Sequence, residues 1–170
     1  MPPSSRYVTL GQDMGWRRRV MADLVECVAV GASAERVYGL VSDLPRMGEW
    51  SPECTRVSWT SGTAGPVVGA RFVGHNRVGA LRWFTQGRVV EAEPGRRFAF
   101  WIHFGPVPIS LWSYEFAPTV DGCEVRESWT DRRPVVLRTV FQRVFGDRTR
   151  LNRRGIRVTL ERLKTAAEAD

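Results

Sequence analysis

The chain has 170 residues, 43% of them hydrophobic, with seven Trp, eight Phe and three Tyr. That is too much apolar and aromatic surface for a chain that stays solvated and unfolded, and enough for one compact domain that buries roughly 70% of its unfolded surface without disulfide staples. The formal net charge is +7, no apolar run reaches the roughly 18 residues of a membrane span, and the first 22 residues lack the apolar core of a secretory signal, so the expected setting is the cytoplasm. Cys27, Cys54 and Cys123 form no CxxC pair and read as reduced, buried fillers. The positive charge gathers at the end of the chain, where residues 131–170 carry +6 while residues 24–130 carry −1. A solvated Arg-rich helix face accounts for this, as does an anionic partner.

Residues 1–22 show no sustained period and are expected to form a mobile tail ahead of a domain at 23–168. Residues 24–30 (LVECVAV) suit a strand. Ser33 then suits a helix N-cap with Glu35 in the first turn, and the helix runs over 34–42 until Leu44-Pro45 stops it. One further helical turn is expected at 46–50. Six strands follow, at 54–60, 69–77, 80–92, 96–103, 109–117 and 123–131, separated by turn signals at Val78-Gly79, Pro94-Gly95 and Asp121-Gly122. Two-residue loops there pair Phe72 with Thr85, Gly74 with Trp83, Val89 with Phe100, Tyr114 with Trp129 and Phe116 with Glu127. These pairings gather the apolar residues on one face and Arg71, His75, Arg77, Arg82 and Arg88 on the other. The Gly105-Pro106-Val107-Pro108 connection leaves the faces of Trp101 and His103 open. From Pro134 the period becomes helical. Leu137, Val140, Phe141, Val144 and Phe145 form one stripe, and a second helix over 148–167 places Asn152, Ile156, Leu160 and Leu163 on one side.

This order is an α+β chain with helices segregated from a seven-stranded antiparallel sheet. Seven strands at about 4.8 Å make a sheet roughly 30 Å wide, and one helix about 10–12 Å across cannot cover it. The sheet must curl, and the space left is filled by large side chains or by a ligand.

The stretches VECVAVGASAERVYGLVSDLPRMGEW, GARFVGHNRVGALRW, RVVEAEPGRRFAF, GCEVRESW and RVTLERLK resemble the polyketide cyclase/dehydrase and lipid-transport group of the START-like (SRPBCC) superfamily. The spacing from Asp43 to Trp50 and the Pro-Gly turn before RRFAF carry the likeness most specifically. The resemblance implies a helix-grip fold, a curved antiparallel sheet wrapped on a C-terminal helix around an internal cavity. It also implies a hydrophobic ligand such as a lipid, a polyketide or an aromatic molecule, in some members with cyclase or dehydratase chemistry.

The inward face of the paired strands supplies the candidate ligand-binding residues Phe72, Asn76, Trp83, Thr85, Phe100, Trp112, Tyr114, Glu127 and Trp129, with Trp50 at the cavity mouth as a gate or a core cap. Glu127 is the sharpest of them. A carboxyl on an apolar face has a raised pKa and suits acid–base work, with Tyr114 and Asn76 polarising a carbonyl; alternatively it pairs with Arg150 or Arg154 and is structural. Gly155 leaves room either for ligand or for close packing. Neither His75 nor His103 has a ligand-spaced partner, so no metal and no cofactor is expected. Nucleic acid is not an expected partner, because the aromatics sit apart from the arginines. The Leu137–Phe145 stripe either closes the cavity or makes transient membrane contact, and the oligomeric state is open, a homodimer included.

Overall fold

The computed structural model describes residues 22–60, 62, 65–134, 137–138 and 147–169. Seven strands form: β1 (Leu24–Val30), β2 (Cys54–Thr60), β3 (Arg71–Val78), β4 (Leu81–Glu93), β5 (Arg97–Phe104), β6 (Val107–Thr119) and β7 (Gly122–Asp131). They make one curved antiparallel sheet in the order β1-β7-β6-β5-β4-β3-β2. The consecutive strands β1 and β2 therefore sit at opposite edges. The chain crosses between them through α1 (Ala34–Ser42), a 3₁₀ turn (Leu44–Arg46) and α2 (Met47–Trp50).

These helices start and stop where the side chains dictate. Ser33 accepts the Arg36 N–H on its hydroxyl at 3.2 Å, and Pro45 ends the helical run after Asp43. The apolar side of α1, with Val37, Tyr38 and Val41, is buried. Tyr38 meets the edges of Phe98 and Phe116 on the sheet, with ring centroids 6.0 and 5.8 Å apart.

The hairpins differ from the expected register by two residues in two places. Val78 pairs with Leu81, Gly74 with Thr85 and Phe72 with Gly87, so the β3–β4 turn is Gly79-Ala80. Thr119 pairs with Gly122 and Tyr114 with Glu127, so the β6–β7 turn is Val120-Asp121. A shift of two preserves alternation, and the inward and outward faces are the expected ones. Packing explains the first shift. Phe72 lies flat over Gly87, where a β-carbon would overlap its ring. The second is set by Gly122, whose φ of +148° and approach to the Val30 carbonyl exclude any side chain. Val89 does pair with Phe100, though by another route: the β4–β5 loop holds three residues, and a bulge at Val90 restores the register. The β5–β6 turn is the tight pair Gly105-Pro106, since Phe104 pairs with Val107. Trp101 and His103, opposite Arg88 and Gln86, lie on the outer face.

The C-terminal helix (Arg148–Glu168) begins at Asp147, whose carboxylate accepts the Thr149 and Arg150 N–H groups at 3.0 and 3.2 Å. It buries Asn152, Ile156, Leu160 and Leu163 as expected. It packs on β1 and β7 and touches α1 and α2. Glu26 of β1 binds Arg157 at 3.0 Å. Lys164 Nζ donates to the Ala29 carbonyl at 2.7 Å, and Glu168 accepts the Gly31 N–H at 2.7 Å. The expected tail at 1–22, apart from Ala22, lies outside the described residues, as does the Leu137–Phe145 stripe apart from Leu137 and Arg138.

Candidate functional site

The concave face has a closed end and an open end. At the closed end α1 covers Phe98, Phe116 and Val125, all buried. At the other end the starts of β2, β4 and β6 meet the ends of β3, β5 and β7 and the first turn of the C-terminal helix. Here the inward residues Asn76, Trp83, Thr85 and Trp112 are only half-buried. Phe72, Phe100 and Trp129 are buried between the two ends. Phe72 and Phe100 meet edge to face at 5.5 Å, and Trp112 and Trp129 lie 6.4 Å apart. The wall also contains Val57 and Trp59, on the inward face of β2, opposite Gly74 and Phe72. Alternation along residues 54–60 would have found them.

Glu127 lies at the centre of this wall and is 2% exposed. Tyr114, directly opposite on β6, donates its hydroxyl to Glu127 Oε1 at 2.8 Å. The other carboxyl oxygen, Oε2, has no hydrogen-bond partner among the described residues. Neither Arg150 nor Arg154 reaches it, because both are exposed; the expected ion pair is replaced by the tyrosine. Burial pushes the Glu127 carboxyl up to about 8, against a smaller opposing pull from the Tyr114 hydroxyl. Burial, helped by the Glu127 charge, also holds the Tyr114 phenol well above its ordinary value. At neutral pH this is a largely protonated acid with a free oxygen inside an apolar wall, able to donate a hydrogen bond or give up a proton.

Several other polar groups of the wall bond to one another or to the backbone. Asn76 donates to Thr85 Oγ1 at 3.3 Å and to the Gly74 carbonyl at 3.4 Å. Trp112 Nε1 donates to Ser110 Oγ at 3.0 Å. Trp50 is buried with Arg46 stacked 5.2 Å above its ring. Its indole N–H lacks an acceptor among the described residues. Cys54, opposite Asn76 on β2, turns its thiol inward, and burial pushes it up to about 11. It is a neutral filler, as is buried Cys123, whereas Cys27 is exposed, contrary to expectation, because β1 presents it to the outer face. A β-carbon on Gly155 would only touch Pro52 at 3.8 Å, so the glycine is not required by packing.

Arg148 clamps the open end, gripping Glu53 at 2.8 and 3.1 Å and Asn152 at 2.9 Å. Beside it is a pocket of about 190 Å³, where Asp23, Asp131, Arg133 and Arg138 converge above Trp129. A second hollow of about 390 Å³ lies on the convex face against Trp101, His103 and Arg88. Neither is the apolar chamber expected from the sequence: the first is lined by charge and the second is outside the sheet. Among the described residues no group of three His, Cys, Asp or Glu side chains is placed to hold a metal.

A family model described as polyketide cyclase/dehydrase and lipid transport matches residues 21–168. The solution structure of the Polyketide_cyc-like protein Cgl2372 from Corynebacterium glutamicum is 34% identical, with a TM-score of 0.56 over 85% of this chain and 90% of that one. Protein CV1439 from Chromobacterium violaceum is 18% identical with a TM-score of 0.66, over 86% and 98% of the two chains. The di-domain ARO/CYC protein StfQ of the steffimycin biosynthetic pathway is 14% identical with a TM-score of 0.67, over 85% of this chain and 50% of that one. These last two likenesses show the fold alone. The search of curated proteins found no match. With the family model spanning nearly the whole chain and the same curved sheet on a C-terminal helix, the protein belongs to the polyketide cyclase/dehydrase and lipid-transport family of the START-like, helix-grip superfamily.

Proposed function

We propose that the protein binds a hydrophobic small molecule (a lipid, a polyketide or an aromatic compound) against the concave face, with Glu127 as its polar anchor. The observation that carries this reading is Glu127 Oε2, which has no hydrogen-bond partner among the described residues, on a buried, largely protonated carboxyl of the same face as Phe72, Phe100, Trp112 and Trp129. An orphaned buried polar group costs about 1–3 kcal/mol, and a ligand carbonyl or hydroxyl placed there removes that cost. The neutral acid donates a hydrogen bond to a ligand carbonyl or hydroxyl, whereas a ligand carboxylate would have to be desolvated in the apolar wall without a counter-charge. Ligands reach the wall from the open end, where Asn76, Trp83 and Thr85 are half-buried. Native mass spectrometry of freshly purified protein tests this. A co-purifying apolar molecule, or uptake of a fluorescent apolar probe that weakens in Glu127→Gln, supports the reading. A protein that arrives empty and takes up no probe overturns it.

The second reading is a cyclase or dehydratase, favoured by the same carboxyl standing at about 8 with Tyr114 beside it. Tyr114 and Glu127 would polarise a carbonyl and move its α-proton, a role in which a pKa near the working pH is an advantage. It predicts that Glu127→Gln abolishes turnover of a poly-β-ketone chain while binding survives. A loss confined to binding leaves the carrier reading.

A further inference from the structure

We propose that the β3–β4 hairpin and the neighbouring β5–β6 tip form a docking surface for an anionic lipid bilayer. The last β4 residue paired with β5 is Gln86, opposite His103. The β2 ladder stops at Asn76. The Arg77 N–H still donates to the Glu53 carbonyl at 2.9 Å, so residues 78–82 run past both neighbours as a short two-stranded tip, roughly 7 Å beyond the sheet at about 3.4 Å per residue. The hairpin carries its apolar side chains in the open. Val78 and Leu81 flank the turn and are exposed, and Phe84 and Phe104 are each 54% exposed, with rings 6.3 Å apart. Large apolar groups gathered at a projecting tip mark an interaction surface rather than ordinary scatter.

The charge around the tip has one sign. Arg77 and Arg82 stand opposite each other beside the turn, Arg71 and Arg88 pair at the far end of the same hairpin, and residues 65–90 contain no Asp or Glu. All four arginines are exposed, and none has an ion pair among the described residues. Arg56 on β2, exposed opposite His75, adds to the field. The nearby carboxylate of Glu53 is held by Arg148. A second copy of this surface would meet it with like charge. So would the segment at 1–21, which carries four Arg against one Asp. Phe84 and Phe104 present faces on which a nucleic-acid base can stack, but the outermost side chains of the tip, Val78 and Leu81, are aliphatic and suit acyl chains instead. Apolar tips that sink below the headgroups while flanking arginines pair with anionic lipid match this arrangement. The proposal is independent of which ligand the concave face takes.

Full-length protein is sedimented with vesicles of phosphatidylcholine alone or with a third of phosphatidylglycerol, and retention on single-stranded polyuridine is measured in parallel. The expected result is binding to the anionic vesicles that weakens with added salt. Val78→Asp/Leu81→Asp and Arg77→Glu/Arg82→Glu each lower that affinity by roughly tenfold or more at unchanged thermal stability. Wild-type protein that treats both vesicles alike overturns the proposal. Vesicle binding that survives Val78→Asp/Leu81→Asp also overturns it, as does polyuridine binding tighter than vesicle binding; the patch would then be an electrostatic site for an acidic polymer.

Discussion

Replacing Glu127 with Gln removes a buried titrating group while keeping its shape and an acceptor for the Tyr114 hydroxyl. In the folded chain the carboxyl stands at about 8, against 4.5 ordinarily. Between those values the folded protein holds a proton that the unfolded chain has released. Stability therefore falls as the pH rises, by up to about 1.4 kcal/mol per pH unit from this one group. Integrated from about pH 5 to about pH 8, the wild type loses roughly 3 kcal/mol that the variant does not. For a domain of this size that is a differential shift in melting temperature of about 6–12 °C. Thermal melts of both proteins followed by circular dichroism across that range measure it, with all other titrations cancelling in the difference. Parallel pH profiles would refute the reasoning, because they would mean that the carboxyl is hydrated and titrates normally. Tyr114→Phe provides the second arm. It removes the hydrogen bond that opposes the rise, so the pH-sensitive range moves upward.

Two further outcomes follow from packing and charge. Gly87→Ala forces a β-carbon into the Phe72 ring and costs about 1–3 kcal/mol in urea denaturation; in a Phe72→Leu background the penalty shrinks, a coupling that a double-mutant cycle reads directly. Asp131 and Arg133 meet at 2.7 Å, each 9% exposed. Asp131→Asn leaves that guanidinium buried without its carboxylate, at a cost of about 3 kcal/mol at neutral pH. Burial works to raise the Asp131 carboxyl, but the Arg133 hydrogen bonds with the Arg133 and Arg138 charges together hold it below 3.8. Its contribution is thus full above that value and lost as the pH falls through the lowered one, so the gap between wild type and variant closes in acid.

The strands, α1 and the C-terminal helix were legible because alternation and capping are local. The faces survived two misplaced turns because each error moved partners by two positions, which period two does not notice. What could not be read, apart from Val89 opposite Phe100, was who sits opposite whom. Phe72 over Gly87 and the bulge at Val90 are decisions of packing between strands, and no single strand announces them. The same blindness hid the site's central pair. Tyr114 and Glu127 were each identified as inward, but with the β6–β7 turn placed one residue late Tyr114 faced Trp129, and Glu127 was left to seek an arginine. The clamp of Arg148 on Glu53 joins residues 95 positions apart, beyond any spacing rule.

The contacts of Lys164 and Glu168 with β1 reach further than the packing of one helix. An outermost strand offers its unpaired amides and carbonyls to any chain that can add a strand, which is how sheets join edge to edge. At Ala29 and Gly31 those groups are already taken by side chains from the last two turns of the C-terminal helix. Self-association by strand addition at this end of β1 would have to strip both of these contacts away first.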